Sequence, residues 1–507
     1  MVSRKRALLI SSITGIVFSI ITIGINFVLR TILVNQVGIE FVGLFTFITE
    51  LLGILSALDG GACSSLFIKI HKPIAENDES KICHYFRLIR IVYLIRAALI
   101  AIVGVVLLFF LPLLAKDVND IGINYIRIAY SIYLGINSIS YLFIYYQFIL
   151  EAFQKRFVSN IISFIVNVLL SAINIFLLYL IPNFLIYLVL HSLIQFFTFF
   201  ICGFVVRKKY PFLLKNKQKI KFSRNDIIEM FDITYYSLSS VLVKNTDNIL
   251  VTKMNGFAVN GIYSSYKLLN TQVFNLVGKI KYSAQDSTRN FLVTSSKEKG
   301  VELISLLTYF YFFIGGICFV CLSVLSSPFI EIWIGQGYIL DALPIVLTAF
   351  TVYVDTLIFP MDDAFYSTEC YRLSRIIPII EVVLNLGISI ILGILFGISG
   401  IMIGTCVFLL YKIVIRSKLL FNKKLNYNCK NYLLRILLYT TLPIVALSIC
   451  YWVCTYIQIS GIFGLIVKGF VCVFISLFIF LMSTFRTKEF TLSKTLLTNA
   501  FKKKKNN

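Results

Sequence analysis

The residues able to do chemistry in this 507-residue chain are charges set inside apolar runs. The basic ones are Arg30, Arg96, Arg127, Lys244, Lys267 and Lys468. The acidic ones are Glu50, Asp59, Asp247, Asp355 and Glu381, with Asp362 and Asp363 closing a run. A charge at mid-depth in hydrocarbon costs about 2.5 kcal/mol or more, so each is either functional or reaches the nearer interface along its own stem. Arg30, Arg127, Lys244 and Lys267 fall in the outer halves of their runs, where together they could line a cationic cavity for an anion. A carboxylate in low dielectric holds a proton more readily than in water. Glu50, Asp59, Asp247, Asp355 and Glu381 are therefore candidates for gating or for coupling to H+ or Na+, the alternative being static ion pairs or helix-end positions.

Other chemistries lack their residues. The string Gly278-Lys279-Ile280 has no hydroxyl residue to hold magnesium, so no phosphate-cradling loop for ATP is present. His71, His84 and His191 lie far apart, with no HExxH and no clustered carboxylates to hold a metal. The eleven cysteines are scattered, and Cys318 and Cys321 sit in a continuous apolar run, where packing is their expected role. The outer loops are too short to carry the catalytic domain of a glycosyltransferase or polymerase. An enzyme is disfavoured, and no cofactor is expected beyond a coupling ion.

The elements that must position these charges follow from composition. Apolar residues make up 58% of the chain and charged residues 14%, with a mean hydropathy of +0.88; soluble domains hold roughly 45–50% and about 25%. Runs long enough to cross a bilayer predict an all-α integral membrane protein with about fourteen transmembrane helices. They start near Ala7, Phe41, Ile91, Ile123, Phe157, Asn183, Ile233, Ile262, Val301, Ala342, Ile376, Gly400, Ile436 and Gly461. The first run is too long for the core of a cleaved signal.

The net charge of +23 comes from basic clusters between the runs, which set orientation and touch anionic lipid headgroups; nucleic acid is not an expected partner. With Arg4, Lys5 and Arg6 in the cytoplasm, the outer loops hold only Lys116 and Lys253. Both termini are then cytoplasmic.

The chain also repeats itself. ILVNQVGIEFVGLF from Ile32 matches ILVTKMNGFAVNGIYS from Ile249 with one inserted residue, after which Gly38 pairs with Gly256, a constant offset of 218. Gly43 and Gly261, Glu151 and Glu369, Asn167 and Asn385, and Ser171 and Ser389 keep it. Just before the insertion, Arg30 and Asp247 occupy equivalent places and could pair as a gate. Two six-helix lobes are expected, residues 1–218 and 219–436, followed by residues 437–507 with two more helices and a basic cytoplasmic tail. An even number of helices per lobe requires a pseudo-symmetry axis along the membrane normal, the architecture that rocking transporters use.

At Arg30 to Gly43 (RTILVNQVGIEFVG), Leu58-Asp59-Gly60-Gly61, Lys72 to Asp78 (KPIAEND), Asp247 to Val251 (DNILV) and Gly261 to Ser264, the sequence resembles the Wzx-like polysaccharide flippases of the multidrug/oligosaccharidyl-lipid/polysaccharide (MOP) exporter superfamily. The resemblance covers most of the chain. It implies a MATE/MOP-like fold in the bacterial cytoplasmic membrane, with alternating access and carriage of an undecaprenyl-diphosphate-linked oligosaccharide for capsule, exopolysaccharide or O-antigen assembly. A polysaccharide polymerase and chain-length machinery are the protein partners it suggests. Arg30 matches an arginine that lines the cavity in related lipid-linked precursor flippases, and the two extra helices match a pair that forms a lipid-tail groove there. The alternative is a cation-coupled drug or small-solute antiporter of the same superfamily, which would need an acidic cavity.

Overall fold

The computed structural model describes residues 4–57, 62–116, 121–215, 224–373 and 376–495, and every regular element among them is helical. In chain order these are α1 (Arg4–Gln36), α2 (Ile39–Ala57), α3 (Ala62–Glu76), α4 (Glu79–Leu114), α5 (Ile123–Tyr141), α6 (Ile144–Ala152), α7 (Arg156–Leu180), α8 (Phe184–Lys209) and the single turn α9 (Phe212–Lys215). The chain continues through α10 (Arg224–Thr294), α11 (Lys297–Ile334), α12 (Ala342–Leu357), α13 (Phe359–Ser367), α14 (Ile377–Ser417), α15 (Cys429–Thr455) and α16 (Gly461–Thr484).

Nine of the described helical stretches are long and apolar enough to cross a membrane, or ten if the bent pair α12 and α13 forms one span. Fourteen is reached only if α14 is divided at Gly397, α10 is counted as two at Gly256 and α2 as one. Gly256 (φ 90°, ψ 176°) and Gly397 (φ 58°, ψ −135°) break those two helices, in backbone conformations that glycine alone adopts readily. Large apolar side chains such as Phe109, Phe204, Ile394, Phe470 and Phe474 project outward, an exposure that suits a lipid-facing surface.

The chain forms two compact units, Met1–Gly261 and Ile262–Asn507. In the first, α8 packs on α5 and α7, α1 on α7, and α4 on α3 and α5. A core around Phe86, Tyr93, Tyr145, Tyr146 and Cys202 fills one end, and Gly203 leaves room for the Tyr146 ring. Arg207 donates from Nε to the Tyr146 hydroxyl at 2.9 Å. In the second unit α11 is central, packing on α12, α15 and α16. The Phe312 ring meets Tyr439 at 4.6 Å and Phe480 at 4.7 Å, which ties α15 and α16, the two additional helices, to α11.

Candidate functional site

The first unit is organised where α2 meets α10. Gly38 (φ 118°) links α1 to α2, and its repeat partner Gly256 breaks α10 at the matching point. The next repeated pair brings the backbones together. A Cβ on Gly43 would overlap the Phe257 carbonyl oxygen, and a Cβ on Gly261 would overlap that of Ile39. Asn260 Nδ2 donates to the Gly43 carbonyl at 3.0 Å, and Arg30 Nη2 donates to the Gly261 carbonyl at 3.1 Å. Seven residues beyond Gly43, Glu50 Oε1 accepts 2.7 Å from Asn248 Nδ2. The helices thus run antiparallel, with hydrogen bonds satisfying polar groups that lipid could not.

Around this seam lie several of the residues singled out by the sequence. Arg30 is half-buried near the end of α1 and interacts electrostatically with Tyr187. Asp247 is 6% exposed beside Asn248, whereas Lys244 is exposed on the same helix. Arg127 is half-buried on α5, and Arg96 lies over the Tyr141 ring at 4.6 Å. Lys267, Asp355 and Glu381 belong to the second unit, and Asp59 lies outside the described residues.

A cavity of about 350 Å³ opens among α1, α5, α6, α7 and α8. Its polar lining consists of the carboxamides of Asn26, Gln147, Asn167 and Gln195 and the hydroxyls of Tyr133, Ser163, Ser192 and Thr198. His191 completes it, with its ring 4.8 Å from Phe45 and 5.7 Å from Tyr187. None of the lining residues is a lysine, arginine, aspartate or glutamate. Asn167 Oδ1 and His191 Nδ1 are buried there without a hydrogen-bond partner.

The second unit holds charge at its centre instead. Arg416, 1% exposed, donates from Nη1 to Asp362 at 2.8 Å and from Nε and Nη2 to Glu381 at 3.3 Å, with its guanidinium 5.3 Å from the Phe365 ring centre. Lys412 Nζ lies 3.2 Å from Asp362 and 3.8 Å from Asp355. Asp363 Oδ1 accepts from Gln285 at 2.6 Å and Arg289 at 3.2 Å, with Lys281 at 3.6 Å. Asp355 and Glu381 are thus held by cations from α14.

Sequence reasoning singled out the carboxylates of the charged centre, Asp355, Asp362, Asp363 and Glu381, but not the cations that hold them, and it missed the cavity. Lys412 and Arg416 lie on α14, which runs on to Ser417 and buries both. Their spacing of one helical turn on an apolar helix was the available signal. The cavity residues read singly as ordinary polar positions, and only Asn167 stood out, through its repeat partner.

A search of curated protein sequences finds no match. Among solved structures, the lipid II flippase MurJ in an inward closed conformation is similar with a TM-score of 0.60 at 15% identity, covering 94% of this chain and all of that one, 100%. A mutant of the Vibrio cholerae MATE transporter VcmN gives 0.57 at 14% identity over 83% and 99%. An inward-facing multidrug resistance MATE family transporter of the MOP superfamily gives 0.56 at 14% identity over 80% and 98%. These likenesses establish the fold, one shared with MATE transporters and the MurJ flippase. The family described as polysaccharide biosynthesis protein matches residues 9–284, more than half of the sequence. The chain therefore belongs to the polysaccharide biosynthesis protein family.

Proposed function

We propose that this protein flips an undecaprenyl-diphosphate-linked oligosaccharide from the inner to the outer leaflet of the bacterial cytoplasmic membrane, in capsule, exopolysaccharide or O-antigen assembly. The observation that carries this reading is Arg30, a guanidinium on an apolar helix of a polysaccharide biosynthesis family member, anchored by Nη2 on the Gly261 carbonyl. The contact with the Gly261 carbonyl helps orient the guanidinium, and a diphosphate entering beside it meets a fixed cation able to make charge-assisted contacts. Holding the group in place beforehand lowers the ordering cost of binding.

Translocation would proceed by alternating access. Arg127, Lys244 and Lys267 add positive charge on the path, and Glu50 and Asp247 carry the coupling to H+ or Na+. Asp355 and Glu381 suit that role less, because Lys412 and Arg416 neutralise them. Depleting the protein should trap lipid-linked oligosaccharide on the inner leaflet; an unchanged leaflet distribution would overturn the proposal. Both termini facing the cytoplasm requires cysteines at Gln36 and Gln336 to label from outside and at Asn77 and Asn426 only after permeabilisation. In vesicles, transport should follow a proton or sodium gradient and ignore ATP, and indifference to both gradients would remove the coupling role.

A further inference from the structure

The cavity of the first unit has a counterpart in the second, and the comparison explains why it is hollow. At the offset of 218, cavity residues Ser163, Thr198 and Ile194 correspond to Glu381, Arg416 and Lys412, and Gln147 corresponds to Phe365. In the second unit the long Arg416 and Glu381 side chains reach each other and fill this place, with the Phe365 ring beneath the guanidinium. Ser163 and Thr198 are too short to meet.

A polar cavity of this kind fills with water or with a ligand that offers what water offers. Four carboxamides, four hydroxyls and an imidazole line it, without a charged side chain to pair a phosphate, a carboxylate or a divalent cation. Two buried polar atoms, Asn167 Oδ1 and His191 Nδ1, lack a partner, and a hydroxyl, which both donates and accepts, can supply one to each. Phe199 and Tyr133 add aromatic faces on which the C–H side of a ring can rest. The volume of about 350 Å³ lies at the low end of small-molecule sites, roughly 300–1,000 Å³.

We infer that this cavity binds an uncharged, hydroxyl-rich ring, a single pyranose. In naming the carried glycan as its source, this rests on the flippase reading. Arg30 then holds the charged end of the substrate through one chemistry, and the cavity selects a neutral sugar through another.

The test uses the purified full-length protein in detergent with glucose, galactose and N-acetylglucosamine, and glucuronic acid as the charged control. At ten times its dissociation constant, a neutral sugar should raise the folding constant roughly tenfold. It should also slow hydrogen exchange in residues 156–180 and 184–209, while glucuronic acid binds at least about tenfold more weakly because its carboxylate finds no partner. Asn167→Leu, which removes one acceptor, should lose the protection. Ser163→Glu with Thr198→Arg, which copies the second unit's pair into the first, should lose it as well. Protection that Arg30→Ala leaves intact supports the site. No protection by any of the three neutral sugars, or equal protection of wild type and Asn167→Leu, overturns it and leaves a water-filled cavity. Sugar protection together with a normal leaflet distribution after depletion keeps the site and removes the lipid-linked source. Trapped lipid-linked oligosaccharide without sugar protection keeps the flippase and removes the site.

Discussion

The two units place different contents at equivalent positions. In the first, α7 and α8 enclose neutral polar groups around open space; in the second, the two halves of α14 close over Arg416 and Glu381. A buried ion pair is a poor source of stability, but losing one partner is costly because the other charge stays behind. The second unit is therefore built to hold one arrangement, whereas the first keeps room for an occupant. A repeated backbone thus does not imply a repeated chemistry.

The largest effect should come from breaking the filled centre. Arg416→Met leaves Glu381 without its guanidinium and should destabilise the protein by about 3–5 kcal/mol, read as a lower melting temperature and reduced folded yield. Arg416→Met with Glu381→Leu should recover most of the loss, since an apolar pair of similar volume is often neutral. If the double variant is no better than the single, the network has a role beyond charge balance.

Next in size is Arg30 in the first unit. Charge-assisted hydrogen bonds contribute about 1.5–3 kcal/mol, so Arg30→Ala should reduce flipping roughly ten- to a hundredfold, and Arg30→Lys by less, with normal membrane insertion. Asp247→Asn should disturb substrate binding less than Arg30→Ala. Normal polysaccharide export by Arg30→Ala at normal expression would leave Arg30 a structural tie to the Gly261 carbonyl.

The glycines give a smaller effect that both halves of the repeat should share. Gly43→Ala and Gly261→Ala each put a methyl group against a backbone carbonyl, which cannot swing aside as a side chain can. Overpacking of this kind costs about 1–3 kcal/mol. Equal losses in folded yield would support a common role, while a tolerated Gly43→Ala would mean that α2 and α10 can separate.

These glycines also mark what a sequence makes legible. Gly38, Gly43, Gly256 and Gly261 are needed for backbone geometry that few other residues allow, so the repeat and the helix junctions leave a trace in the letters. The membrane fold was legible from hydropathy for a similar reason, since every span must be apolar along its length. The cavity leaves no such trace, because Asn26, Tyr133, Ser163 and His191 come together only when separate helices pack. Arg416 did not stand out in the sequence because its position near the end of an apolar run resembles an exposed helix terminus, and only packing with Asp362 and Glu381 shows it buried.

The smallest expected effect again compares repeat-equivalent positions, at two helix starts. Asp78 precedes α4 and Ser296 precedes α11 at the same offset. Asp78 accepts from the Lys81 backbone amide at 3.0 Å and pairs with the Lys81 ammonium at 2.9 Å, whereas the Ser296 side chain makes no cap hydrogen bond. The amide and the ammonium hold the Asp78 carboxyl below the usual carboxylate range. Its folded-state value therefore lies below its unfolded value of about 3.9, so the contribution is present at neutral pH and fades as pH falls through the folded value. Asp78 is solvent-exposed, so screening keeps the effect modest. Asp78→Ala should speed hydrogen exchange in the first turn of α4 at pH 7, and Ser296→Ala should leave the start of α11 unchanged. Equal responses at the two sites would mean that the α4 cap adds nothing to helix initiation, and that the KPIAEND segment is shaped by its loop and not by Asp78.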